Sequence, residues 1–288
     1  MKPDLRLVEC KSILTKTGGF LQGYTHTLNP YAGCGFGAGG CGVYCYVAES
    51  PIGRFARADW GLWVDAKVNA ANRLDQELAS MKDPSSLRVY MSSATDPYQP
   101  AEARLAITRR VLEVLRRRPV GLLVVQTRSP LVERDYDLLV DMPFAWLAMT
   151  VETDDDYVRR ALTPICPSIE RRLLAMRHAR ERNIKVQASV SPILPHDTHR
   201  FAELLGVAAD RVVVDTFTGD GTRGRRTARR PLPERYARLG WGDWQSQELG
   251  QSLYAALVER IGEERVGWSK EGFNSMPTTA SRCQVPTA

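Results

Sequence analysis

The sequence predicts an α/β fold in which parallel strands form an open or partial (β/α)6 barrel. Predicted strands and helices alternate from residue 87 to residue 215, and the segment 121–127 (GLLVVQT) is a continuous apolar run. Such a run is typical of a parallel strand covered on both faces. Repeated βα units of this length favour a parallel sheet that the right-handed crossover rule curls in one direction. A single domain of 288 residues is common for such barrels.

Segments rich in β-branched and other apolar residues predict the strands. The predicted strands cover residues 24–28, 87–93, 121–127, 144–151, 184–191 and 211–215. Apolar residues at helical spacing predict the helices. The predicted helices cover residues 64–81, a segment that begins at Pro100, 134–140, 168–182 with Ser168 as N-cap, 198–206 and 246–262. We expect an N-terminal extension (1–24), a barrel (25–230) with a cysteine loop at 30–48, and a helical C-terminal extension (231–288) packed on the barrel.

The composition indicates a globular protein without a targeting segment. The first 16 residues contain charges and no apolar stretch of the kind that a secretory signal needs. No apolar run approaches the roughly 18–20 residues that cross a bilayer. We therefore expect a soluble, cytoplasmic protein without membrane contact. The net charge of +6 and the pI near 9.1 favour anionic partners.

A glycine-rich loop contains three of the six cysteines. The segment 27–50 reads TLNPYAGCGFGAGGCGVYCYVAES and contains Cys34, Cys41 and Cys45. In a reducing compartment, clustered cysteines indicate a metal or catalytic site rather than disulfides. The glycines let the backbone wrap closely and adopt positive φ. We interpret the scattered Cys10, Cys166 and Cys283 as incidental or buried residues.

Polar residues follow five of the six predicted barrel strands, and the cysteine loop follows the first. The strand ends contribute Ser92, Ser93, Thr95, Asp96, Gln126, Thr127, Arg128, Thr150, Glu152, Thr153, Gln187, Ser189, Asp215 and Thr216. Because function collects at the carboxyl ends of parallel strands, we expect these side chains to line one pocket with the three cysteines.

The three cysteines suit an iron–sulfur cluster better than structural zinc. Zinc usually takes four ligands in paired spacings, and no fourth cysteine or spaced histidine lies near the loop. Three thiolates can hold a [4Fe–4S] cluster with one iron left open. A small molecule could then complete the coordination of that iron.

The cysteine loop resembles the cluster loop of radical S-adenosylmethionine (SAM) proteins. It is most similar to the branch that includes spore photoproduct lyase and relatives labelled DNA repair photolyases. That branch has Asn-Pro-Tyr before the first cysteine and an aromatic residue before the last, as at 29–31 and Tyr44 here. The segments ATDPYQP (94–100), Thr127-Arg128 and PILP (192–195) match as well, and the resemblance covers about residues 12–215.

The resemblance implies a partial (β/α)6 barrel of the radical SAM type and a [4Fe–4S] cluster whose open iron binds the amino and carboxylate groups of SAM. A one-electron reductant such as a flavodoxin or ferredoxin would drive cleavage of SAM to methionine and a 5′-deoxyadenosyl radical. That radical would abstract hydrogen from an unknown substrate. An enclosed barrel mouth agrees with such chemistry, because a reactive radical needs a site with little water.

The resemblance also implies roles for individual residues. Cys34, Cys41 and Cys45 would be the cluster ligands, and Tyr46 lies where the family places a backbone contact to adenine. Arg128 lies where relatives often have a lysine, and its cation would pair with the SAM carboxylate.

Five further residues are implied in cofactor binding. Thr150 and Glu152 lie where the family has polar contacts to the ribose and the amino group of SAM. Ser92, Asp96 and Ser189 would line the same mouth.

Two departures from the branch concern spacing and substrate. The family's usual cysteine spacing is Cys-x3-Cys-x2-Cys, whereas this chain has Cys-x6-Cys-x3-Cys, a longer loop that can still close on a cubane. The lyase uses a cysteine after its second strand as hydrogen donor, and the matching loop here, 92–98, contains none. Cys166 lies on a different loop. We therefore expect a substrate other than that of the lyase.

The basic run at 222–230 (TRGRRTARR) leaves a nucleic-acid substrate open, and a solvated loop is the alternative interpretation. Two other function classes also stay open. One is an iron–sulfur electron-transfer or sensor protein that does not bind SAM. The other is a zinc-stabilised nucleic-acid-binding protein that uses the basic run.

Overall fold

Parallel strands flanked by helices dominate the computed structural model, which describes residues 2–218 and 222–276. The strands are β1 (Asp4–Val8), β2 (Leu14–Lys16), β3 (His26–Leu28), β4 (Tyr31–Gly33), β5 (Trp63–Lys67), β6 (Arg88–Met91), β7 (Leu122–Thr127), β8 (Ala145–Thr150), β9 (Lys185–Val190), β10 (Arg211–Val214) and β11 (Val266–Trp268). The helices are α1 (Pro51–Arg54), α2 (Ala70–Ser80), α3 (Glu102–Leu105), α4 (Ile107–Arg117), α5 (Tyr136–Leu139), α6 (Asp156–Leu162), α7 (Ile169–Glu181), α8 (Thr198–Ala208), α9 (Thr222–Thr227), α10 (Leu232–Leu239), α11 (Glu248–Ile261) and α12 (Ser269–Asn274). Cys283 lies outside the described residues.

The main sheet has eight strands in the order β11-β10-β9-β8-β7-β6-β3-β2. Every neighbouring pair is parallel except β2 and β3, which are antiparallel. The predicted α/β fold with an open parallel sheet is confirmed. Each predicted barrel strand overlaps an observed one, because local apolar runs and their breaks carry enough information to locate buried parallel strands.

The prediction of one helix over 64–81 is wrong in its first part. Residues Trp63–Lys67 form β5, and α2 begins only at Ala70. Strand β5 pairs with β1 in parallel and with β4 antiparallel, which makes a separate three-stranded sheet. Val64 and Ala66 are fully buried in that sheet. Pairing with residues far away in sequence decided this segment, and helical spacing could not reveal it.

The helix predicted from Pro100 consists of two helices. Ala106 adopts a left-handed conformation (φ 48°) between α3 and α4. The fully buried carboxylate of Glu102 accepts hydrogen bonds from the amides of Ile107 (2.9 Å) and Thr108 (3.1 Å). This carboxylate therefore caps the N-terminus of α4 and satisfies donors that a helix leaves unpaired there.

The two ends of the open sheet are joined by side-chain contacts. The segment after β2 and helix α12 after β11 meet at Asn274, whose amide oxygen accepts from the Gly23 amide (2.6 Å) and whose amide nitrogen donates to the Phe20 carbonyl (2.8 Å). The Tyr24 hydroxyl donates to the Phe273 carbonyl (2.9 Å) beside them. The C-terminal part of the chain therefore closes the side of the partial barrel that strand pairing leaves open.

The remaining helices cover the sheet and complete the core. Helix α7 begins after Ser168, whose hydroxyl caps the Arg171 amide (3.3 Å) as predicted. Helix α11 (Glu248–Ile261) confirms the helix predicted over 246–262 and packs on α8. Within the described residues, no helix is long and apolar enough to span a bilayer.

We predict that Asn274→Ala lowers the free energy of unfolding by about 1–3 kcal/mol, because the Gly23 amide and the Phe20 carbonyl lose their partner in a half-buried site. Chemical denaturation followed by circular dichroism measures this loss. Gln251→Ala on the exposed face of α11 is the control, and we expect a change below about 0.5 kcal/mol for it. Equal stability of the two variants would contradict the role of Asn274.

Candidate functional site

The three cysteines of the loop converge at the carboxyl ends of the barrel strands. Cys34 directly follows β4, Cys41 opens a short 3-10 helix, and Cys45 precedes a second one at Tyr46–Glu49. Cys34 and Cys41 are buried, Cys45 is partly buried, and all three line one cavity. Burial, with Cys41 and Asp96 nearby, raises the pKa of the Cys34 thiol.

Close packing of the loop on itself requires glycine at particular positions. A Cβ on Gly42 would overlap the carbonyl of Gly37, and a Cβ on Gly40 would overlap the carbonyl of Phe36. These glycines therefore allow the backbone of the loop to fold against itself, as the sequence predicts.

A buried ion-pair network lies directly beneath the loop. The Glu152 carboxylate accepts from Arg128 (2.6 Å) and from Arg172 (2.6 Å), and the hydroxyl of Tyr44 donates to it (2.9 Å). Burial alone would raise the pKa of Glu152, but the two guanidinium groups outweigh burial and lower that pKa to about 2. Glu152 is therefore an anion that connects the cysteine loop, through Tyr44, to strand β7 and helix α7.

Asp96 is saturated by groups of the chain itself. Its buried carboxylate accepts from the Thr127 hydroxyl (2.6 Å), the Arg128 amide (3.0 Å) and the Tyr98 amide (2.8 Å). Asp96 therefore fixes the carboxyl end of β7, on which Arg128 lies.

A cavity of about 610 Å³ occupies the mouth of the partial barrel. Six of the seven predicted cofactor-binding residues line it together with the three cysteines, and these six are Tyr46, Ser92, Asp96, Arg128, Thr150 and Ser189. Glu152 is the seventh and lies behind Arg128 rather than in the cavity lining. Because a parallel sheet brings its strand ends together, Ser92 and Ser189 share this cavity although they lie 97 positions apart in the sequence.

Among the seven predicted cofactor-binding residues, Ser92 is the one whose side chain lacks a partner in the described part of the chain. Its hydroxyl is buried without a hydrogen bond, and its backbone adopts a left-handed conformation (φ 71°). A buried polar group without a partner costs about 1–3 kcal/mol, and a ligand in the cavity would supply the missing bond.

Polar residues form the floor of the cavity. Gln126 accepts from the hydroxyls of Tyr90 (2.8 Å) and Ser189 (3.1 Å) and donates to the hydroxyl of Thr150 (2.6 Å). The hydroxyls of Thr150 and Ser189 are thereby oriented across three neighbouring strands.

Sequence reasoning missed several lining residues. Gly18, Phe20 and Tyr90 line the cavity, and Lys270 and Phe273 reach it from α12. No motif marks these residues. Contacts at Asn274 bring the segment after β2 and helix α12 to the cavity, and sequence patterns do not reveal such contacts. Arg226 also lines the cavity and belongs to the basic run, part of which forms helix α9 rather than a loop. Cys166 is buried near Arg128 but is not part of the cavity lining.

Comparisons with known proteins identify the family. The model of the radical SAM superfamily matches residues 28–208, and the chain therefore belongs to this superfamily. Members of the superfamily are enzymes that use a [4Fe–4S] cluster and SAM, so the predicted family and cofactor pair are confirmed, without a reaction class.

The relatives found by sequence are uncharacterised. A protein of Methanocaldococcus jannaschii is 30% identical over 175 residues, which are 61% of this chain and 62% of the relative. A protein of Mycobacterium tuberculosis (strain H37Rv) is 27% identical over 230 residues, which are 75% and 65% of the two chains. The chain thus spans somewhat less than two thirds of the length of these relatives.

Solved structures of spore photoproduct lyase share the fold. One variant superposes with a TM-score of 0.65 at 15% identity, covering 92% of this chain and 81% of that chain. Another, solved with bound AdoMet and dinucleoside spore photoproduct, has a TM-score of 0.63 at 15% identity. At this identity the likeness describes the fold alone.

We predict that Glu152→Gln lowers the free energy of unfolding by about 3–5 kcal/mol, because it leaves Arg128 and Arg172 as buried cations without a counter-charge. Denaturant titration near neutral pH measures the loss. Glu259→Gln, at an exposed position, is the matched control and should change stability by less than about 0.5 kcal/mol.

The stability difference between wild type and Glu152→Gln should also depend on pH. The Glu152 pKa is lowered from 4.5 to about 2 in the folded chain, so its stabilisation is present above pH 4.5 and is lost as the pH falls toward 2. The gap between the two proteins should therefore narrow over that interval. A gap that stays constant from neutral pH to the acid limit would contradict an ionised Glu152.

Proposed function

We propose that the chain is a radical SAM enzyme in which Cys34, Cys41 and Cys45 hold a [4Fe–4S] cluster and the adjoining cavity holds SAM. Once bound there, the cluster would supply one electron for the reductive cleavage of SAM, and this chemistry would allow abstraction of a hydrogen atom from a substrate. We also propose that residues 25–230 form the unit that binds both cofactors, flanked by the extensions 1–24 and 231–288.

The observation that carries this proposal is the common cavity of three cysteines and a buried, unpartnered Ser92 hydroxyl. Within the described residues, no three His, Cys, Asp or Glu side chains lie close enough to hold a single metal ion. A cubane makes a different demand, because each of its thiolates binds a different iron and the sulfurs need only face a common space. The donor set of three thiolates fits such a cluster, and the Ser92 hydroxyl fits a polar ligand beside it.

The residues around the cavity would orient the cofactor and exclude water. Tyr46 follows the last cysteine directly, and its hydroxyl donates to the Ser93 carbonyl (2.9 Å). This bond would hold the backbone of Tyr46, which we propose contacts the adenine of SAM. Thr150 and Ser189, held by Gln126, would present hydroxyls to the ribose and amino group of SAM.

Arg128 would bind the SAM carboxylate in this proposal. Its guanidinium is already paired with Glu152, so it would offer a remaining N–H to the SAM carboxylate while Glu152 holds the group in place. Asp96 would act in the same indirect way, because it fixes the backbone amide of Arg128.

A one-electron donor must deliver the electron, and we propose a flavodoxin or ferredoxin of the cytoplasm, where thiols stay reduced. A nucleic acid is the substrate class that the charge of the chain favours. The net charge is +6, and helix α9, which contains part of the basic run, contacts the 3-10 helix that follows the last cysteine. The loop 92–98 has no cysteine, so the hydrogen donor of the lyase has no counterpart there.

We predict that Cys34→Ala, Cys41→Ala and Cys45→Ala each abolish the cluster, because each removes one of its three protein ligands. Each protein is purified without oxygen, reconstituted with iron and sulfide, reduced, and examined by EPR with and without SAM. Wild type should give a [4Fe–4S]⁺ signal that SAM shifts, and 5′-deoxyadenosine should appear in the quenched mixture. Cys10→Ala is the control and should match wild type, since Cys10 lies outside the cysteine loop and is hydrogen-bonded to Asn69.

Three results would contradict this proposal in different ways. A fully loaded cluster in Cys41→Ala would refute the ligand assignment. A cluster signal that SAM does not change would favour an electron-transfer or sensor protein. Zinc in place of iron after anaerobic purification would refute the cluster itself.

A further inference from the structure

The mouth cavity has an unusual balance of charged side chains. Among the described residues, its lining contains one carboxylate, Asp96, and three cations, Arg128, Arg226 and Lys270. Asp96 accepts three hydrogen bonds from the chain, and Arg128 is paired with Glu152 at 2.6 Å. The cations that can still pair with a ligand are therefore Arg226 and Lys270.

Arg226 and Lys270 have no counter-charge among the described residues. In residues 2–218 and 222–276, neither side chain makes a hydrogen bond or an ion pair, although both are half-buried. Most other half-buried arginines near the site are paired, as Arg230 is with the Gly42 carbonyl (3.0 Å). Two half-buried cations without partners in one cavity suit an anionic ligand.

The two cations approach the cavity from different walls. Arg226 lies on α9, which contacts the 3-10 helix Tyr46–Glu49 beside the cysteines. Lys270 lies on α12, which contacts the segment Gly19–Leu21 where the two ends of the open sheet meet. In that segment, Gly18 and Gly19 leave open space where a Cβ would project. A ligand can therefore approach the backbone closely on the Lys270 side.

We infer that Arg226 and Lys270 bind two phosphates of one single-stranded nucleic-acid substrate, on either side of the nucleotide that faces the cysteines. This inference rests on the proposed function and specifies its substrate. Two cations on separate walls match a ligand with repeated negative charge, whereas a single phosphate would satisfy only one. A base within a duplex stack cannot enter a cavity at a barrel mouth, and a single strand presents its bases without the cost of flipping one out of a duplex.

The test measures binding of a labelled tetrathymidylate to the reconstituted protein with SAM, by fluorescence anisotropy across a salt series. Arg226→Gln and Lys270→Gln should each weaken binding and lower the slope of log K against log salt by about 0.7, and the double variant by about 1.4. Arg229→Gln is the matched control, because Arg229 is an exposed member of the same basic run and does not line the cavity. Its slope should equal that of wild type.

Two further probes separate a phosphate pair from general charge attraction. A tetrathymidylate with an uncharged methylphosphonate backbone should bind wild type and the double variant equally weakly. Thymidine monophosphate should bind wild type more weakly than the tetranucleotide and should show a shallower salt slope, because it offers one phosphate and lacks a strand's counterion atmosphere. Tight binding of the uncharged probe, or an unchanged slope in the double variant, would overturn the inference.

The variants also separate this inference from the proposed function. The double variant should keep the wild-type thermal unfolding curve and the EPR shift on adding SAM, because neither residue is assigned to the cluster or SAM. Loss of that shift in the double variant would show that the two cations serve the cofactor and would overturn the inference. If wild type gave no SAM-dependent EPR shift, while the salt slope still depended on Arg226 and Lys270, the proposed function would fail and the phosphate sites would stand.

Discussion

The site depends on one buried interaction, the Glu152 carboxylate held between Arg128 and Arg172. Arg172 is fully buried on α7, and it donates to the Thr150 carbonyl (3.1 Å) as well as to Glu152. Glu152 also accepts from Tyr44 on the cysteine loop. A helix outside the sheet, two strand ends and the loop are thereby joined through one anion. Because ionised groups away from water need all of their partners, this arrangement strongly constrains the position of the loop.

The loop also has an apolar core of its own. Phe36, Trp60 and Trp63 pack with the cysteines in a cluster separate from the main core between sheet and helices. Strand β5 supplies Trp63 and pairs with β4, which leads directly into Cys34. The small three-stranded sheet therefore presents the first cysteine, while the ion network restrains the segment before the last one.

The mouth is completed by parts of the chain far from the loop in sequence. Asn274 joins the segment before β3 to the helix after β11, and this contact brings Lys270 and Phe273 to the cavity. An open sheet can enclose a reactive centre only if its unpaired sides are covered. The C-terminal segment covers one such side here. The same segment adds a polar and an aromatic side chain to the cavity.

Features that depend on short stretches of sequence could be predicted in detail. Apolar runs and polar strand ends predicted the barrel strands, and the loop with Cys34, Cys41 and Cys45 predicted the family. The polar strand ends located nine cavity-lining residues, because parallel strands direct their carboxyl ends to one side.

Other features could not be predicted because they arise from non-local pairing. The segment at Trp63 has helical spacing but became a strand once β1 and β4 paired with it. The sequence predicts a cofactor contact for Glu152. In the structure its carboxylate is buried and accepts a hydrogen bond from Arg172, 20 residues further along the chain. By itself the sequence determined the fold class and the family, and it located the cysteine loop. Only the tertiary structure decided which polar groups satisfy one another and which, such as Ser92, Arg226 and Lys270, have no partner among the described residues, because that depends on distances between elements that local patterns do not contain.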